Sequence, residues 1–571
     1  MKRKVIVKLS LILLFCYMLT SCLSPWRDEA EMGIITISFS GNTRAAAWPP
    51  TNENGALHIL QHRITLRGPT GTENHTLSPG ELSGNYIVEP GLWNVTIEAW
   101  WNDDLFGTGS GRVEVIAGET NSLNINMQRT EHTFFIVANA ADWATTVAAI
   151  RNGGSNNKYI INVTRDINGV SGSEELTFGE ASGIHVTIRG NHKITLAGTG
   201  SLLRIGAGQE VVIEDLTLAG QGGAVLNYAS LVTVEGGIFT MQGSASVSDN
   251  ITDSSGGGVY VADGALFTMY SGTITNNTAD FLSGGGVSIS GTFNMKGGSI
   301  IDNNIGRIIQ SNIVNFFPED VFIGKAAADR LTLSGNAVIG TLKLNADNTA
   351  NFSNVSIGAN WTGSVAQLHM LGSHDNINMA MALNWWVDKQ VLTGAARALT
   401  AADVARFTLG SFYTAGWESL PINPEQFSLN FGSDTGRLVS IAKQEGIKFF
   451  AENGNRPEVT TTSSGLQYEI INETLGPKPL ATDRVRIDFE GRFINNTILD
   501  SIIDFEAFPN QLIPGLSEGI QLMGEESTYI FYIPYDLAYG PVGYRLPFPP
   551  YTEIVPPFTV LIYEVELLQI Y

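Results

Sequence analysis

Four short blocks near the carboxyl end combine an acid, a tyrosine and apolar residues in a way that could do chemistry without a nucleophile. The blocks are Asp488–Gly491, Leu499–Ser501, Leu512–Gly515 and Asp536–Gly540. From Gly446 to Tyr571 the sequence has no histidine and no cysteine, which removes the usual hydrolytic and thiol catalysts. The remaining residues favour chemistry by shape and apolar surroundings, and a pure binding domain would fit the same pattern.

The elements that must position these blocks can be predicted from periodicity. Val485–Phe489 and Tyr529–Ile533 alternate between apolar and polar residues, which predicts sheet strands. Pro514 suits the first position of a helix. Leu516, Ile520 and Met523 follow at helical spacing, so one apolar stripe is expected to face the sheet.

The blocks, framed by Ser464–Ile471 and Leu561–Leu568, resemble the FKBP-type peptidyl-prolyl cis-trans isomerases. The similarity is to the secreted bacterial branch, the macrophage-infectivity-potentiator-like isomerases. The resemblance implies an α+β half-barrel over residues 446–571, in which an antiparallel sheet wraps around one short helix. It also implies that proline-containing polypeptides are the substrates and that no metal or cofactor takes part.

The resemblance assigns catalytic roles to three residues of this sequence. Ile513 would offer its backbone N–H to a substrate carbonyl, Tyr539 its hydroxyl to the amide oxygen, and Asp500 a carboxylate at the pocket edge. A buried structural acid is the alternative for Asp500, and a sheet-edge aromatic is the alternative for Tyr539. The residues expected to line the substrate pocket are Phe489, Leu499, Phe508, Leu512, Leu516, Val555 and Tyr563.

Several pocket positions depart from the family pattern. The family usually has Tyr where Phe489 stands, Phe at Leu499, and Trp at Leu516, while Tyr563 replaces a usual Phe. A leucine floor is shallower than a tryptophan floor, so the proline ring would be held less firmly. The loop from 542 to 556 is longer than usual and would roof the pocket. We therefore expect low activity.

Composition places these blocks in a long acidic chain. The chain has 571 residues, more than one core supports, so a multidomain protein is expected. Its 62 glycines and 15% charged residues favour a mainly β protein of short strands and turns. A net charge of −22 repels phosphate backbones, so nucleic acid is excluded as a partner. The oligomeric state is not predicted.

The amino-terminal residues look like an export and anchoring signal. Lysine and arginine precede the apolar run Leu9–Leu19, which is too short to span a membrane. Leu19–Cys22 resembles a lipobox, so residues 1–22 are predicted to be a lipoprotein signal peptide and residues 23–32 a tether. Cys22 would carry the lipid, at the outer membrane on its periplasmic or cell-surface face. An ordinary signal peptide and a small anchor helix are the alternatives.

The region from 33 to 128 is predicted to be an immunoglobulin-like β-sandwich. Trp93, Val95, Ile97 and Ala99 alternate with polar residues, as in a half-buried strand. Trp100 and its neighbour could mark a sugar-binding face, but packing is the favoured interpretation for aromatic residues at a strand end.

Imperfect repeats follow from 133 to 443. The triplets Phe239–Met241, Phe267–Met269 and Phe293–Met295 recur at intervals of 28 and 26 residues. Such units must stack on their neighbours, which predicts a right-handed parallel β-helix. The repeats are similar to those of polymorphic outer-membrane proteins and autotransporter passengers.

The acids of the repeats are scattered, which favours a structural or adhesive solenoid over an enzyme that cleaves polysaccharides. They are Asp253, Asp263, Asp280 and Asp302. A glycan or protein ligand of the solenoid stays open. Near its end, Thr400–Asp403 resembles a capping box that would open a short helix through Phe407.

Two functions from different classes fit the whole sequence. The first is a lipid-anchored prolyl isomerase of low activity that acts on exported proteins. The alternative is a surface structural or adhesive lipoprotein, in which the β-helix is the functional surface and the carboxy-terminal domain only binds peptide.

Overall fold

A computed structural model gives the fold of this chain. It describes residues 32–41, 48, 60–101, 104–130, 132–222, 226–280, 284–306, 316–373, 379–395, 397–414, 419–420, 426–430, 435–546 and 552–571. The predicted signal peptide, Cys22 and the tether up to residue 31 lie outside the described residues. None of the helices in the described part of the chain combines the length and apolar character needed to cross a bilayer.

Contacts divide the chain into two compact units, Met1–Val137 with Asn157–Thr164, and Ala138–Asn156 with Arg165–Tyr571. In the first unit, one hydrogen-bonded path joins the strands in the order β3-β2-β5-β6-β7-β1-β4. Neighbours on this path are antiparallel, except that β1 and β7 run parallel. Its strands are β1 (Gly33–Gly41), β2 (Gln61–Gly68), β3 (Gly71–Leu77), β4 (Ser83–Val88), β5 (Gly91–Trp101), β6 (Asp104–Val115), β7 (Thr120–Arg129), β8 (His132–Val137) and β9 (Lys158–Val163).

Strand β5 supplies much of the core of this unit. Trp93, Val95, Ile97 and Ala99 are all buried, which confirms the predicted alternation. Trp101 is buried as well, with its ring centroid 5.9 Å from that of Phe134. Packing therefore accounts for Trp101, and the immunoglobulin-like character of the unit stays a prediction.

The second unit begins with helix α1 (Ala140–Asn152) and continues as a parallel β-solenoid. The strands β11, β14, β17, β20, β24, β29, β31 and β33 pair in parallel as one face. The strands are β10 (Ile167–Ser171), β11 (Ile184–Arg189), β12 (Lys193–Ala197), β13 (Leu203–Gly206), β14 (Gln209–Glu214), β15 (Thr217–Ala219), β16 (Val232–Glu235), β17 (Ile238–Gln242), β18 (Ser246–Ser248), β19 (Val259–Val261), β20 (Leu266–Met269), β21 (Thr273–Thr275), β22 (Thr278–Asp280), β23 (Val287–Ile289), β24 (Thr292–Met295), β25 (Ser299–Ile300), β26 (Asn304–Gly306), β27 (Phe316–Pro318), β28 (Val321–Ile323), β29 (Leu331–Leu333), β30 (Val338–Ala346), β31 (Val355–Ile357), β32 (Ser364–Gly372), β33 (Leu392–Gly394), β34 (Phe407–Thr414), β35 (Ser419–Leu420), β36 (Phe427–Leu429) and β37 (Leu438–Ser440).

The repeated triplets stack in register inside the solenoid. Phe267 pairs with Phe239 on one side and with Phe293 on the other, at ring-centroid distances of 5.1 and 4.4 Å. Buried asparagines line up in the same way, since Asn277 Nδ2 donates to Asn303 Oδ1 at 3.0 Å. Each coil thus satisfies the polar and apolar groups of the next, and the predicted β-solenoid is confirmed.

The end of the solenoid carries two short helices, α2 (Met379–Trp386) and α3 (Ala401–Val404). Thr400 caps α3 through the predicted capping box with Asp403. The helix is shorter than predicted, because Phe407 already begins strand β34.

The acids of the repeats do not assemble into a metal site. Among the described residues, no group of three or more His, Cys, Asp or Glu side chains could hold a metal ion. Asp263 instead pairs with Lys325 at 2.6 Å and with Arg330 at 3.4 Å.

The carboxy-terminal part of the second unit is a sheet with the strand order β38-β39-β42-β45-β40-β41, and every pairing in it is antiparallel. Helix α5 packs on this sheet through Leu516 and Ile520, followed by Met523, and all three are buried. The predicted strands, helix start and apolar stripe are confirmed. The elements are α4 (Ile441–Asn453), β38 (Val459–Thr461), β39 (Gln467–Asn472), β40 (Val485–Phe493), β41 (Ile498–Ala507), α5 (Pro514–Ile520), β42 (Thr528–Ile533), β43 (Tyr544–Arg545), β44 (Glu553–Val555) and β45 (Leu561–Ile570).

Helix α4 joins the solenoid to this sheet and runs through the predicted boundary between residues 443 and 446. Lys443 Nζ donates to Asp388 Oδ2 at 2.7 Å on the solenoid side. On the other side, Gly446 lies so close to Val560 that an added Cβ would come within 2.7 Å of Val560 Cγ2. The contacts of Lys443 and Gly446 therefore fix the first two turns of helix α4.

His369 in β32 is expected to make the stability of the solenoid depend on pH. Burial, reinforced by the charge of Lys343, lowers the pKa of His369 from 6.5 to about 4, and its Nδ1 accepts the Ser411 N–H at 2.7 Å. Because the pKa of His369 is lower in the folded than in the unfolded state, its contribution to the free energy of unfolding is fully present above pH 6.5. This contribution is lost as the pH falls through about 4. The full difference corresponds to roughly 3 kcal/mol of unfolding free energy.

We expect the free energy of unfolding to fall more steeply with acid in the wild type than in a His369→Gln variant. Denaturant unfolding at a series of pH values would measure both slopes. The His192→Gln variant is the matched control, because His192 lies partly exposed at the surface of the same solenoid. Equal slopes for wild type and His369→Gln would contradict the prediction.

Candidate active site

Three neighbouring strands bring one acid and one phenol together over a glycine. Gly491 in β40 is paired with Asp500 in β41 and with Tyr563 in β45. A Cβ atom on Gly491 would lie 2.2 Å from Asp500 Oδ1 and 2.5 Å from Tyr563 Cε1. Because Gly491 has no side chain, the Asp500 carboxylate and the Tyr563 side chain can approach each other.

The Tyr563 hydroxyl donates to Asp500 Oδ2 across a long hydrogen bond of 3.4 Å. Burial raises the pKa of Tyr563, and the charge of Asp500 raises it further. Burial also raises the pKa of Asp500, although the bond from Tyr563 opposes that shift. Tyr563 therefore supplies a hydroxyl to Asp500, whereas Phe489 has none.

One oxygen of the acid is left for another partner. Asp500 Oδ1 is buried, and it accepts no hydrogen bond from any residue that the structure describes. A buried acceptor without a donor is costly, by about 1–3 kcal/mol. A ligand that supplies a donor there would recover that free energy.

Helix α5 presents a second unengaged group. Ile513 caps the helix with φ −59° and ψ 147°, and Pro514 follows at the first helical position. The carbonyl of Ile513 accepts from the Ser517 N–H at 2.9 Å, whereas its own N–H is bonded to no other described residue. Leu512 and Ile513 are partly buried against the core, and Leu516 is 5% exposed. The amide therefore lies at the edge of an apolar surface.

Tyr539 and Val555 pack against the same core as Leu512 and Leu516. Burial raises the pKa of Tyr539, with smaller contributions from Asp500 and from Tyr544, whose ring centroid is 5.2 Å away. Strands β43 and β44 form the hairpin that replaces the predicted roof loop, and Val555 at its end is 1% exposed. Pro547, Pro549 and Pro550, expected in the same loop, lie outside the described residues.

The hairpin of β43 and β44, here called the roof, is hydrogen-bonded to the end of the solenoid. Glu553 of the hairpin pairs with Arg545 at 2.8 Å and also accepts a hydrogen bond from Gln426. Helix α2 packs against the turn Gly540–Val542, which follows Tyr539 directly. The position of the roof therefore depends on the end of the solenoid.

The aromatic rings around Phe489 indicate one wall of the predicted pocket. Its ring centroid is 5.7 Å from that of Tyr563 and 5.7 Å from that of Phe505. Leu499 and Phe505 are partly buried against the same core. Phe508, also predicted to line the pocket, is 38% exposed and is not part of this group, and its lining role stays a prediction.

A β-bulge explains why Phe505 faces the core beside Phe489. Between the pairs Ile487–Phe505 and Phe489–Ile502, strand β41 holds one residue more than β40. Asp504 adopts a φ of +54° in this bulge, and its N–H donates to Asp488 Oδ1 at 2.7 Å. The extra residue shifts which side chains face inward. A simple two-residue alternation could not have identified Phe505.

Taken together, these residues form an apolar site with three polar groups at its edge. One oxygen of the acid and the amide N–H are unengaged, and the tyrosine is half-buried. Such a site can bind an uncharged amide and discriminate between its planar and twisted forms, but it holds no nucleophile. The predicted roles of Asp500, Ile513 and Tyr539 stay predictions, as do the lining roles of Phe489, Leu499, Leu512, Leu516, Val555 and Tyr563.

Family models match two adjoining stretches of this part of the chain. "FKBP-type peptidyl-prolyl cis-trans isomerase" matches residues 476–568. "Domain amino terminal to FKBP-type peptidyl-prolyl isomerase" matches residues 433–470, which include helix α4.

Curated relatives match the same region. The FKBP-type 22 kDa peptidyl-prolyl cis-trans isomerase of Escherichia coli is 40% identical over 130 residues, 22% of this chain and 60% of that protein. Outer membrane protein MIP of Legionella longbeachae is 34% identical over 134 residues, 22% of this chain and 54% of that protein. Macrophage infectivity potentiator of Trypanosoma cruzi is 30% identical over 139 residues, 24% of this chain and 67% of that protein.

The matched stretches cover little more than half the length of the first two relatives. Within that region, both family models and all three relatives agree on one family. Through its carboxy-terminal domain, this chain belongs to the FKBP-type peptidyl-prolyl cis-trans isomerases.

Proposed function

We propose that the carboxy-terminal domain catalyses cis-trans isomerisation of X-Pro bonds. The observation that carries this proposal is the apolar site whose unengaged polar groups include Asp500 Oδ1 and the Ile513 N–H. Rotation about the amide has a barrier of ~18–20 kcal/mol, because the twisted form loses its resonance. A site that binds the twisted form more tightly by about 1.4 kcal/mol accelerates rotation tenfold.

Each group has a separate part in this mechanism. The apolar walls exclude water and favour the twisted amide, which is less dipolar at oxygen than the planar amide. The Ile513 N–H would bind a substrate carbonyl, and the Tyr539 hydroxyl would bind the amide oxygen. Asp500, oriented by Tyr563, would accept a donor from the substrate backbone.

The substrates are proposed to be exported proteins, and the enzyme is proposed to be lipid-anchored through Cys22 at the outer membrane. The lipobox-like residues Leu19–Cys22 support the anchor. The relative named outer membrane protein MIP supports the location. Mass spectrometry of the amino-terminal peptide from membranes would test the anchor, because a lipidated Cys22 adds a diacylglyceryl mass that a Cys22→Ala variant lacks.

A protease-coupled assay with a proline-containing tetrapeptide tests the activity of the full chain. Acceleration in proportion to enzyme concentration supports the isomerase. Peptide binding without acceleration supports instead the alternative, a structural or adhesive lipoprotein whose carboxy-terminal domain only binds peptide.

Leu516→Trp is expected to raise kcat/KM for the tetrapeptide by about threefold to tenfold, because a larger floor buries more of the proline ring. Overpacking would cost about 1–3 kcal/mol of stability, so the melting temperature is measured in parallel. Ile470→Trp is the matched control, because Ile470 is 42% exposed on strand β39 of the sheet against which helix α5 packs. An unchanged or lower rate in a folded Leu516→Trp variant would contradict the placement of Leu516 at the floor of the pocket.

A further inference from the structure

A second hollow, here called the side cleft, lies beside the isomerase site and has a volume of about 400 Å³. Four segments wall it. Ala442 and Glu445 come from helix α4, Phe493 and Thr497 from the end of β40 and the turn after it, Pro556 from the chain after β44, and Gln426 from the residue before β36. The residues assigned to the isomerase site do not line this hollow. Its size falls within the range of known ligand sites.

Two of the segments that line the side cleft are close in sequence to residues of the isomerase site. Thr497 stands three residues before Asp500, and Pro556 directly follows Val555. Both segments therefore adjoin, along the chain, a residue assigned to the isomerase site. Three extended residues span about 10 Å, so a polypeptide bound at the site can reach the side cleft within a few residues.

The lining defines what kind of segment fits. Ile441, Ala442, Phe493, Pro556 and Val560 make the surface largely apolar. Glu445 is the one ionisable residue among the lining residues, and it is exposed. The residues from 446 onward contain 17 acidic and seven basic side chains, so the surrounding field also repels acid. An apolar segment with neutral or basic residues complements this surface.

The side cleft is held open before any ligand binds. Helix α4 is fixed by the Lys443–Asp388 ion pair at 2.7 Å and by its close approach to Val560. Gln426, which also lines the side cleft, is bonded to Glu553 of the roof hairpin. A preformed surface of this kind binds without the cost of ordering its own walls.

We propose that the side cleft binds an apolar, neutral or basic segment of the same polypeptide whose prolyl bond occupies the isomerase site. The proposal rests on the proposed isomerase function and deepens it, because it assigns a preference for unfolded chains over short peptides. The end of the solenoid contributes to this preference through Gln426 and helix α4.

The test compares two substrates on the full chain. One is a tetrapeptide with a central Ala-Pro, and the other is an 18-residue peptide with the same Ala-Pro between arms of Leu, Val, Ser and Lys. We expect the wild type to isomerise the long peptide with a kcat/KM about tenfold higher. Ala442→Arg, which fills the side cleft, is expected to abolish this advantage and to leave the tetrapeptide rate within about twofold. Gln444→Arg is the matched control, since Gln444 is exposed on the same helix and does not line the side cleft.

Equal rates for the two peptides in the wild type would overturn the proposal. So would an Ala442→Arg variant that slows both peptides equally, or a concentration-dependent dimer that this variant abolishes, since a second copy would then occupy the side cleft.

Failure of the isomerase function itself has a different signature, because the wild type would then accelerate neither peptide. Fluorescence anisotropy of a labelled, proline-free version of the long peptide tests the side cleft independently of catalysis. Binding that Ala442→Arg weakens at least tenfold and Gln444→Arg does not would support the side cleft. A dissociation constant that is the same for the wild type and Ala442→Arg would overturn it.

Discussion

Replacing Gly491 with alanine is expected to lower kcat/KM for a proline-containing tetrapeptide by about 100-fold, because displacements near 1 Å cost that much in a positioned site. The added methyl group would lie 2.2 Å from Asp500 Oδ1 and 2.5 Å from Tyr563 Cε1, so at least one of the two must move. The same displacement would break the hydrogen bond between them. The measurement is the protease-coupled assay, with the melting temperature of the same preparation.

Ser501→Ala is the control for Gly491→Ala. Ser501 follows Asp500, and its side chain is exposed. The control should keep the wild-type rate and melting temperature. A folded Gly491→Ala protein with a rate close to that of the wild type would contradict the placement of Asp500 and Tyr563 in the active site.

Asp500→Ala is expected to lower kcat/KM by about tenfold or more, because hydrogen bonds to a charged group contribute about 1.5–3 kcal/mol. The substitution also leaves the Tyr563 hydroxyl buried without its acceptor. Tyr563→Phe should cost less, since Asp500 then keeps its charge and loses only one donor. In the double variant the two losses should not add, because the residues act as a pair.

The pH dependence of the rate gives the Asp500 prediction a second readout. Burial raises the pKa of Asp500 above 3.8, so its charge is lost at a higher pH than that of a free aspartate. The wild-type rate should therefore fall as the pH is lowered through that range, whereas the rate of Asp500→Asn should not. Glu566→Ala, an exposed acid on β45, is the control that should behave as the wild type. Additive losses and an unchanged pH profile would show that Asp500 and Tyr563 act independently.

Much of the fold could be predicted because local pattern and tertiary packing agree. The alternation in β40 and β42 and the proline at the start of α5 identified elements that the structure contains. The recurring Phe–Met triplets predicted the stacked interior of the solenoid, because identical residues at a fixed interval pair in register. In α3, by contrast, the capping box identified the start of the helix but not its end.

The candidate site was less predictable, for two physical reasons. The bulge at Asp504 changes which residues of β41 face inward, so Phe505 rather than Phe508 lies against Phe489. The bond between Tyr563 and Asp500 joins residues 63 positions apart, and only the pairing of both with Gly491 brings them together. Neither the bulge nor the cross-strand register has a signature in a single sequence.

The side cleft was beyond sequence reasoning altogether. Its walls come from four segments that include Gln426 and Pro556, which lie 130 residues apart. Helix α4 closes one side of the hollow, although the predicted domain boundary passed through that helix. A surface made by the contact between two domains becomes visible only when both are placed.

Exchange spectroscopy on a short Ala-Pro peptide tests the central claim most directly, because it observes the cis and trans forms themselves. With a catalytic amount of the full chain, we predict exchange peaks between the two forms that the Gly491→Ala variant does not produce. A peptide whose resonances shift on binding, but whose exchange stays as slow as in buffer, would contradict the account.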